Sequence, residues 1–214
     1  MVNKYKLAKM EVLAFKNGLR LHRDAISLFN LRSYPSVYFL SILALEEFGK
    51  AEALSHFLFY WSESPFTEQE LQDWFLELYK HPFKHHAFFR GRLPMASIKR
   101  LKNSLIKVDQ LEILKQNSVY VGLPKNKRVV NLKGKINLPS RIKQSQAKEQ
   151  ITVVNDYLLE QAIGNINQFL SVDNWVISRM LNRKFLQKFE KNWPYKSFGI
   201  KKLIRRFPTK KAVR

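Results

Sequence analysis

The amino-acid sequence predicts a mainly all-α protein folded as a helical bundle, and three observations support this fold class. Apolar residues recur every three or four positions over long stretches, which is the spacing of an amphipathic helix. The 214 residues include only seven glycines and eight prolines, too few for a turn-rich all-β protein. Apolar residues make up 45% of the chain, which is enough to fill the core of one sizeable domain.

The first two helices are predicted from the N-terminal 61 residues. Apolar positions repeat at helical spacing from about residue 4 to residue 31, and Gly18 is expected to weaken the middle of this helix. Pro35 suits the first turn of a second helix, where its missing N–H is not needed, and that helix should run to about Trp61. Because the second helix is apolar almost all round, we expect it to lie buried at the centre of the bundle.

Helix signals continue after a short break in the pattern. Thr67 and Glu70 form a capping-box pattern, which predicts the start of a third helix. Pro82 should end or kink this helix near Lys80, because proline lacks the N–H that a helix interior requires. A further helix is expected over Met95–Lys115, where apolar residues again share one face.

The middle of the chain departs from the helical pattern. Residues 119–123 and 128–132 are rich in residue types that favour strands. We therefore expect a small β-hairpin or an irregular excursion near 118–138, carried on a basic insertion at about 116–139.

Two more helices are expected to complete the bundle. They should cover about 140–170 and 173–192, with Pro194 closing the second. This organisation gives one helical domain over residues 1–194 and a basic C-terminal tail over residues 195–214.

The charge of the chain favours a polyanionic partner. The 38 basic and 17 acidic residues give a formal charge of +21, and such an excess is typical of nucleic-acid-binding proteins. The excess is concentrated in residues 80–148 and 195–214, the second of which contains no acid at all. The candidate RNA-binding residues come from these segments: Arg92, Lys99, Arg100, Lys127, Arg128, Lys201, Lys202, Arg205 and Arg206.

Other features of the composition exclude whole classes of site. The chain contains no cysteine, so disulfides, thiolate nucleophiles and cysteine zinc sites are excluded. The first residues have no apolar signal region, and the longest uncharged apolar stretch, Val37–Leu45, is too short to span a bilayer. We therefore expect a soluble, cytoplasmic protein with no membrane partner.

Charged residues interrupt the apolar second helix. Glu46 and Lys50 lie four residues apart, so helical spacing places them one turn from each other on the same face. Glu47 is also within reach of Lys50, which leaves open the carboxylate that faces a site. The pair is either a helix-surface ion pair or the floor of a functional site. Gly49-Lys50 does not form a phosphate-binding loop, since the flanking residues of that motif are missing.

A histidine-rich segment follows at His81, His85 and His86, with Arg90 one turn after His86. Two histidines four residues apart can chelate a metal on a helix, but Pro82 argues against a regular helix here and no third ligand is evident. We therefore predict no metal site and no cofactor. The alternative interpretation, without a functional role, is a set of surface histidines in a basic loop.

The same residue types suit metal-independent cleavage of RNA. Attack by a 2′-hydroxyl on the neighbouring phosphate needs a base, an acid and a cation that faces the phosphorane oxygens. The candidate catalytic residues are Glu46, Lys50, His85, His86 and Arg90. His22 and His56 are further candidates, although a helix-surface pair with Glu52 accounts for His56.

A resemblance strengthens this interpretation. The stretch Tyr38–Lys50, which contains Leu-Ala-Leu-Glu-Glu-Phe-Gly-Lys, resembles the signature of the AbiV family of abortive infection proteins, within the HEPN superfamily of helical, usually dimeric proteins. His85-His86 and the Ser-Val-Tyr-Val-Gly run at 118–122 are similar to other elements of that family. The likeness covers roughly residues 5–190. It implies an HEPN-like helical bundle.

The resemblance also implies a function in bacterial anti-phage defence, in which an infected cell halts its own translation. Many HEPN proteins are metal-independent ribonucleases with an arginine four to six residues ahead of a histidine at a dimer cleft. No histidine of this chain has that spacing. Two hypotheses therefore stay open: a toxin that cleaves a structured RNA such as transfer RNA, and a non-catalytic inhibitor that binds RNA or the ribosome under control of a phage protein. Both are expected to act as a homodimer.

Overall fold

The computed structural model describes residues 3–61, 66–91, 110–123, 125–126, 129–167 and 174–206. These residues are mainly helical, which confirms the predicted fold class. The helices are α1 (Lys4–Asn30), α2 (Tyr34–Trp61), α3 (Glu68–Tyr79), α4 (His81–Gly91), α5 (110–117), α6 (Gln144–Ile166), α7 (Trp175–Met180), α8 (Arg183–Asn192) and α9 (Phe198–Arg206). Two short strands, β1 (Lys125–Asn126) and β2 (Val129–Val130), and a 3-10 turn (Pro139–Arg141) lie between α5 and α6.

The core forms where α2 packs against α1 and α6, as its apolar sequence predicts. The ring of Phe48 lies 5.3 Å, centroid to centroid, from the rings of both Phe15 and Tyr157. Gly18 faces the same ring, and a Cβ added there would lie 2.9 Å from it. Gly18 is therefore the position at which α1 makes room for Phe48, a packing role that outweighs the low helix propensity of glycine.

The connection between α3 and α4 confirms two predictions and corrects one. Thr67 caps α3 in a capping box with Glu70, and α3 ends at Tyr79 with Lys80 as its C-cap, near Lys80 as predicted. A regular helix, α4, then begins at His81, against the expectation that Pro82 would prevent one. Pro82 is tolerated because it occupies the first turn, where the backbone N–H has no partner within the helix.

Helix α4 approaches α2 very closely at one point. A Cβ added to Gly49 would lie 1.9 Å from the carbonyl oxygen of Lys84. No side chain fits this gap, so Gly49 sets how near α4 can lie to α2. The two helices are thereby placed close enough for short side chains to meet between them.

The excursion after α5 has less strand than the sequence predicts. Residues 119–123 form no strand; only Gly122 pairs, with its N–H and carbonyl bonded to Asn137 at 3.3 and 2.7 Å. The antiparallel hairpin lies further on, where Lys125 pairs with Val130 and Asn126 with Val129. The apolar side chains of 119–123 are exposed, so they lack the packing surface on which strand preference depends.

The C-terminal region differs from the prediction in two ways. The helix expected over 173–192 is broken into α7 and α8, because Asn182 caps α8 by accepting a bond from the Phe185 N–H at 3.0 Å. Part of the expected basic tail forms α9, whose Ile200 is buried and whose preceding residue Ser197 donates its N–H to Asp156 Oδ2 at 3.0 Å. In the described ranges, no helix is both long and apolar enough to cross a membrane.

Candidate active site

The carboxylate of Glu46 lies at the centre of a buried polar cluster between α2, α4 and α5. His85 Nε2 and Lys115 Nζ lie 3.1 and 2.9 Å from its Oε1. His81 Nδ1 and Lys84 Nζ lie 2.7 and 3.5 Å from its Oε2. The side chain of Glu46 is 4% exposed, so two imidazoles and two ammonium groups take the place of water around one carboxylate.

These contacts fix the charge of Glu46. Burial alone would raise the pKa of its carboxyl group, but hydrogen bonds from His85, Lys115 and His81 outweigh it and hold that pKa well below its ordinary range. Glu46 is therefore a permanent anion at neutral pH. Such a buried charge is tolerated because it is surrounded by donors.

Among the four groups around Glu46, His81 is the one with substantial exposure. Its side chain is 48% exposed, whereas those of Lys84, His85 and Lys115 are 9% exposed or less. Since a carboxylate only accepts, His81 Nδ1 must carry the proton of the bond to Glu46. In the neutral form of the ring, the lone pair would then be on Nε2, and this is the arrangement by which a carboxylate orients a histidine base.

Glu112 of α5 adds a third side chain of a type that binds metal ions to those of Glu46 and His81. One oxygen or nitrogen atom from each of Glu46, His81 and Glu112 lies within 4.8 Å of the others. The ammonium group of Lys115 lies 2.9 Å from Glu46 Oε1 and 2.7 Å from Glu112 Oε2. Lys115 thus supplies the positive charge that a metal ion would bring, and the donor set does not favour a divalent cation.

The structure separates the residues that the sequence brings together as candidate catalytic groups. Lys50 pairs with Glu47 at 2.6 Å and not with Glu46, because Glu46 faces α4 and its donors. Helical spacing favoured Glu46 as the partner of Lys50 and left Glu47 open, and the structure pairs Lys50 with Glu47. His85 contacts Glu46, whereas His86 is exposed and takes no part in the cluster. The side chain of Arg90 lies outside the described residues.

The candidate RNA-binding residues are placed only in part. Lys201, Lys202, Arg205 and Arg206 are exposed on α9. The others lie outside the described residues: Arg92, Lys99, Arg100, Lys127 and Arg128. The structure therefore shows exposed basic residues on α9. RNA binding by these residues, and by those outside the described ranges, stays a prediction.

Sequence reasoning missed two members of the cluster, Lys84 and Lys115. His81 was named in the histidine-rich segment, as a possible metal ligand and among residue types suited to acid–base chemistry, but it was not included in the candidate catalytic residues. The spacing of His81 and His85 was the available signal, since residues four apart share a helix face, and it was discounted because of Pro82. Lys115 had no local signal, because it lies 69 residues from Glu46 in the chain.

His22, a further candidate, lies away from this cluster. It is fully buried between α1 and α6, where its Nε2 lies 3.3 Å from Asn155 Oδ1. Burial lowers the pKa of His22 to about 4, and the bond to Asn155 opposes this only in part. His22 is therefore a neutral core residue at pH 7.

The Glu-Glu-Phe-Gly-Lys run at 46–50 now has a structural explanation. Glu46 binds α4 and α5, Phe48 fills the core, and Gly49 lets α4 approach. The AbiV family of HEPN domains matches residues 6–160, a range that contains this run and the histidines of α4. No curated protein and no solved structure matches the chain. Because the family match spans well over half of its 214 residues, the chain belongs to the AbiV family of HEPN domains, and this membership implies a role in abortive infection, an anti-phage defence.

Proposed function

We propose that this protein is a bacterial anti-phage toxin that stops translation by cleaving a structured RNA, such as transfer RNA, without a metal ion. The observation that carries the proposal is the Glu46–His81 pair. A half-exposed imidazole held at 2.7 Å by a buried carboxylate has the form of a general base with its orienting group.

The proposed reaction uses the nitrogen of His81 that does not face Glu46. The RNA 2′-hydroxyl oxygen bonds to the adjacent phosphorus while its proton passes to His81 Nε2. The bond from phosphorus to the 5′-oxygen breaks, and that oxygen takes a proton from water. The products are a 2′,3′-cyclic phosphate and a 5′-hydroxyl. Glu46 stabilises the imidazolium that forms, and Lys84 and Lys115 add positive charge beneath the phosphorane.

The charge of the chain supports an RNA substrate. At +21, the protein attracts phosphates over a range set by salt, and the exposed basic residues of α9 offer phosphate contacts. These contacts position a nucleic acid without reading its sequence. Discrimination of one RNA from others would therefore come from the shape of its unpaired regions.

The experiment that tests the proposal is cleavage of total cellular RNA and transfer RNA by purified protein in the presence of EDTA. We expect discrete fragments that end in a 2′,3′-cyclic phosphate. His81→Ala should reduce the cleavage rate by about 100-fold or more, the usual effect of losing a general base. His86→Ala is the matched control, because it removes an exposed imidazole from the same helix without touching Glu46. Equal activity of the two variants would remove His81 from the mechanism.

A second candidate function is non-catalytic inhibition, in which the protein binds RNA or the ribosome under the control of a phage-encoded protein. The burial of Glu46, Lys84, His85 and Lys115 favours it, since groups sealed between helices cannot reach a substrate. Here the cluster only joins α2, α4 and α5. Tight, salt-sensitive RNA binding with no fragments, and equal binding by the His81→Ala and His86→Ala variants, would support this function over cleavage.

Both functions are proposed for a homodimer in the cytoplasm. A symmetric dimer is the commonest oligomer and would bring two basic surfaces to one RNA. Its test is the molecular mass at micromolar concentration, measured by light scattering behind a sizing column. A monomeric mass there would contradict the dimer and leave the cleavage test unaffected.

A further inference from the structure

The excursion between α5 and α6 concentrates exposed apolar side chains in one short segment. Nine large apolar side chains between residues 119 and 138 are at least 36% exposed, and those of Tyr120 and Leu132 are 68% and 80% exposed. Single exposed apolar residues are ordinary, but many of them together are typical of a surface that binds a partner. We call residues 119–123 and 129–138 the excursion surface.

The excursion surface is also basic. Residues 113–148 contain no acidic residue, and the side chains of Lys133 and Lys135 are exposed. The exposed apolar side chains of this surface are aliphatic except for that of Tyr120, and aliphatic groups do not stack on RNA bases as aromatic rings do. The excursion surface therefore fits a polypeptide partner that is acidic and partly apolar.

Helix α3 carries a surface of this complementary kind. Residues 67–79 contain four acidic residues and no basic residue, in a chain whose formal charge is +21. Asp73, Leu76 and Glu77 share one face of α3 by helical spacing, and Tyr79 lies one turn after Leu76. Leu76 and Tyr79 are 59% and 64% exposed. We call these four residues the α3 surface.

The carboxylates of the α3 surface can meet a cation from another chain. Asp73 Oδ1 accepts a hydrogen bond at 3.0 Å from Gln69, whose side chain is neutral and leaves the charge of Asp73 unbalanced. Glu77 pairs with Lys80, but both side chains are more than half exposed. An exposed pair of this kind contributes little to stability, so Glu77 can exchange Lys80 for another cation.

We propose that the α3 surface of one copy docks on the excursion surface of a second copy, and that the same contact repeated across a twofold axis forms the dimer. This inference rests on the homodimer proposed above and names its interface. The contact joins opposite charges, whereas other pairings of a chain at +21 bring like charges together. Helix α3 and the excursion surface together contain about as many residues as one side of a standard interface, roughly 20–30.

The two surfaces begin close to each other in the fold. Helix α3 ends two residues before His81, and the excursion surface begins four residues after Lys115. His81 Nδ1 and Lys115 Nζ bind the same carboxylate, that of Glu46, at 2.7 and 2.9 Å. A twofold dimer requires both surfaces of one copy to reach the same partner, and this proximity allows it.

The test measures the dissociation constant of the dimer by analytical ultracentrifugation. An α3 variant, Asp73→Lys with Glu77→Lys, should raise this constant by at least about 100-fold, because both contacts of the dimer then oppose like charges. Adding Lys133→Glu and Lys135→Glu to the α3 variant should restore the constant to within about tenfold of the original, since opposite charges meet again.

The matched control adds Lys201→Glu and Lys202→Glu to the α3 variant instead. This combination has the same net charge as the restored variant, but its new carboxylates lie on α9, outside the proposed interface. It should dissociate as readily as the α3 variant alone. Leu132→Ser tests the apolar part of the contact and should raise the dissociation constant by about tenfold or more. Circular dichroism shows for each variant that the helical fold is retained.

Four results would overturn the proposal. A dimer unchanged in the α3 variant would remove this interface and leave the homodimer standing. Equal rescue by the α9 substitutions would show that net charge controls assembly. A monomeric original protein at micromolar concentration would contradict both the interface and the homodimer. If Leu132→Ser leaves the dimer intact and weakens binding to RNA or to anionic vesicles, the excursion surface serves that ligand instead. RNA cleavage is read from fragments, so its failure is distinct from all four.

Discussion

Replacing Gly49 by alanine tests the packing that brings α4 to Glu46. The added methyl group would lie 1.9 Å from the carbonyl oxygen of Lys84, and real contacts of this kind are essentially never shorter than 3.0 Å. The backbones of α2 and α4 must therefore separate by roughly an ångström at this point, since a carbonyl oxygen cannot rotate away as a side chain can.

The expected change in stability combines two opposing contributions. Alanine is better than glycine inside a helix by about 1 kcal/mol, which would stabilise the variant. Forcing a methyl group into a full site costs about 1–3 kcal/mol, and each buried hydrogen bond that breaks costs about 1–3 kcal/mol more. A shift of about an ångström would lengthen the contact of His85 with Glu46 from 3.1 Å to beyond bonding distance. We expect a net destabilisation of about 3 kcal/mol.

The assay is thermal and urea unfolding followed by far-ultraviolet circular dichroism. For a chain of this size, about 3 kcal/mol corresponds to a fall of roughly 6–12 °C in Tm. Gly199→Ala is the matched control, because Gly199 also lies in a helix and a Cβ added there would lie 4.0 Å from Ser197 Oγ, an ordinary van der Waals contact. That change should stabilise the protein by up to about 1 kcal/mol.

The sign of the stability change caused by Gly49→Ala tests whether α4 packs against α2 as described. A variant as stable as the original protein, or more stable, would show that α4 does not lie against α2 as described. The geometry of the Glu46 cluster would then fail with it, because His81, Lys84 and His85 all belong to α4.

Three further predictions follow from particular residues. The lowered pKa of His22, about 4, means that the unfolded chain binds a proton first, so the free energy of unfolding should fall by up to about 3 kcal/mol between pH 6.5 and pH 4, and His22→Gln should remove this slope in urea titrations. Glu46 has a lowered pKa in the folded state, so its contribution is present above the ordinary glutamate value of about 4.3 and is lost as the pH falls towards the folded value; Glu46→Gln should flatten the stability curve in that acid range but not above it. Thr67→Ala should cost about 1 kcal/mol in the same unfolding assay through loss of the α3 cap, whereas Gln69→Ala, which changes an exposed residue two positions after the cap, should cost less than half as much.

Local patterns predicted the helices well where local physics determines them. The capping box at Thr67 and the stop near Lys80 depend on residues within a few positions, and both appear as expected. The break between α7 and α8 was missed because the Asn182 cap can end a helix only where other groups bind the backbone carbonyls that the break leaves free. Asn165 of α6 binds them: its Nδ2 lies 2.9 and 3.1 Å from the carbonyl oxygens of Ser178 and Leu181. The sequence alone does not show that contact.

The candidate site shows the same boundary between local and distant information. A charge at Glu46 in an apolar helix indicated that a partner must exist, because a lone buried carboxylate is too costly. Helical spacing offered Lys50, yet the actual partners come from α4 and from Lys115, which only the packing of α2 against its neighbours brings near. Spacing restricts which residues on one helix can meet, and it says nothing of residues that arrive from another helix.

The three carboxylates of α2 illustrate how one apolar helix serves different neighbours. Glu46 meets the donors of α4 and α5, Glu47 meets Lys50 on its own helix, and Glu52 meets Tyr157 of α6. Each charge is explained by the element that it faces. The Glu-Glu-Phe-Gly-Lys run is therefore first of all the surface of α2 on which neighbouring helices dock. The chemistry proposed for this protein therefore lies on the helix that docks there. Of the groups bound to Glu46, His81 combines a fixed Nδ1 with an exposed ring, and it is therefore the group on which the proposed cleavage depends.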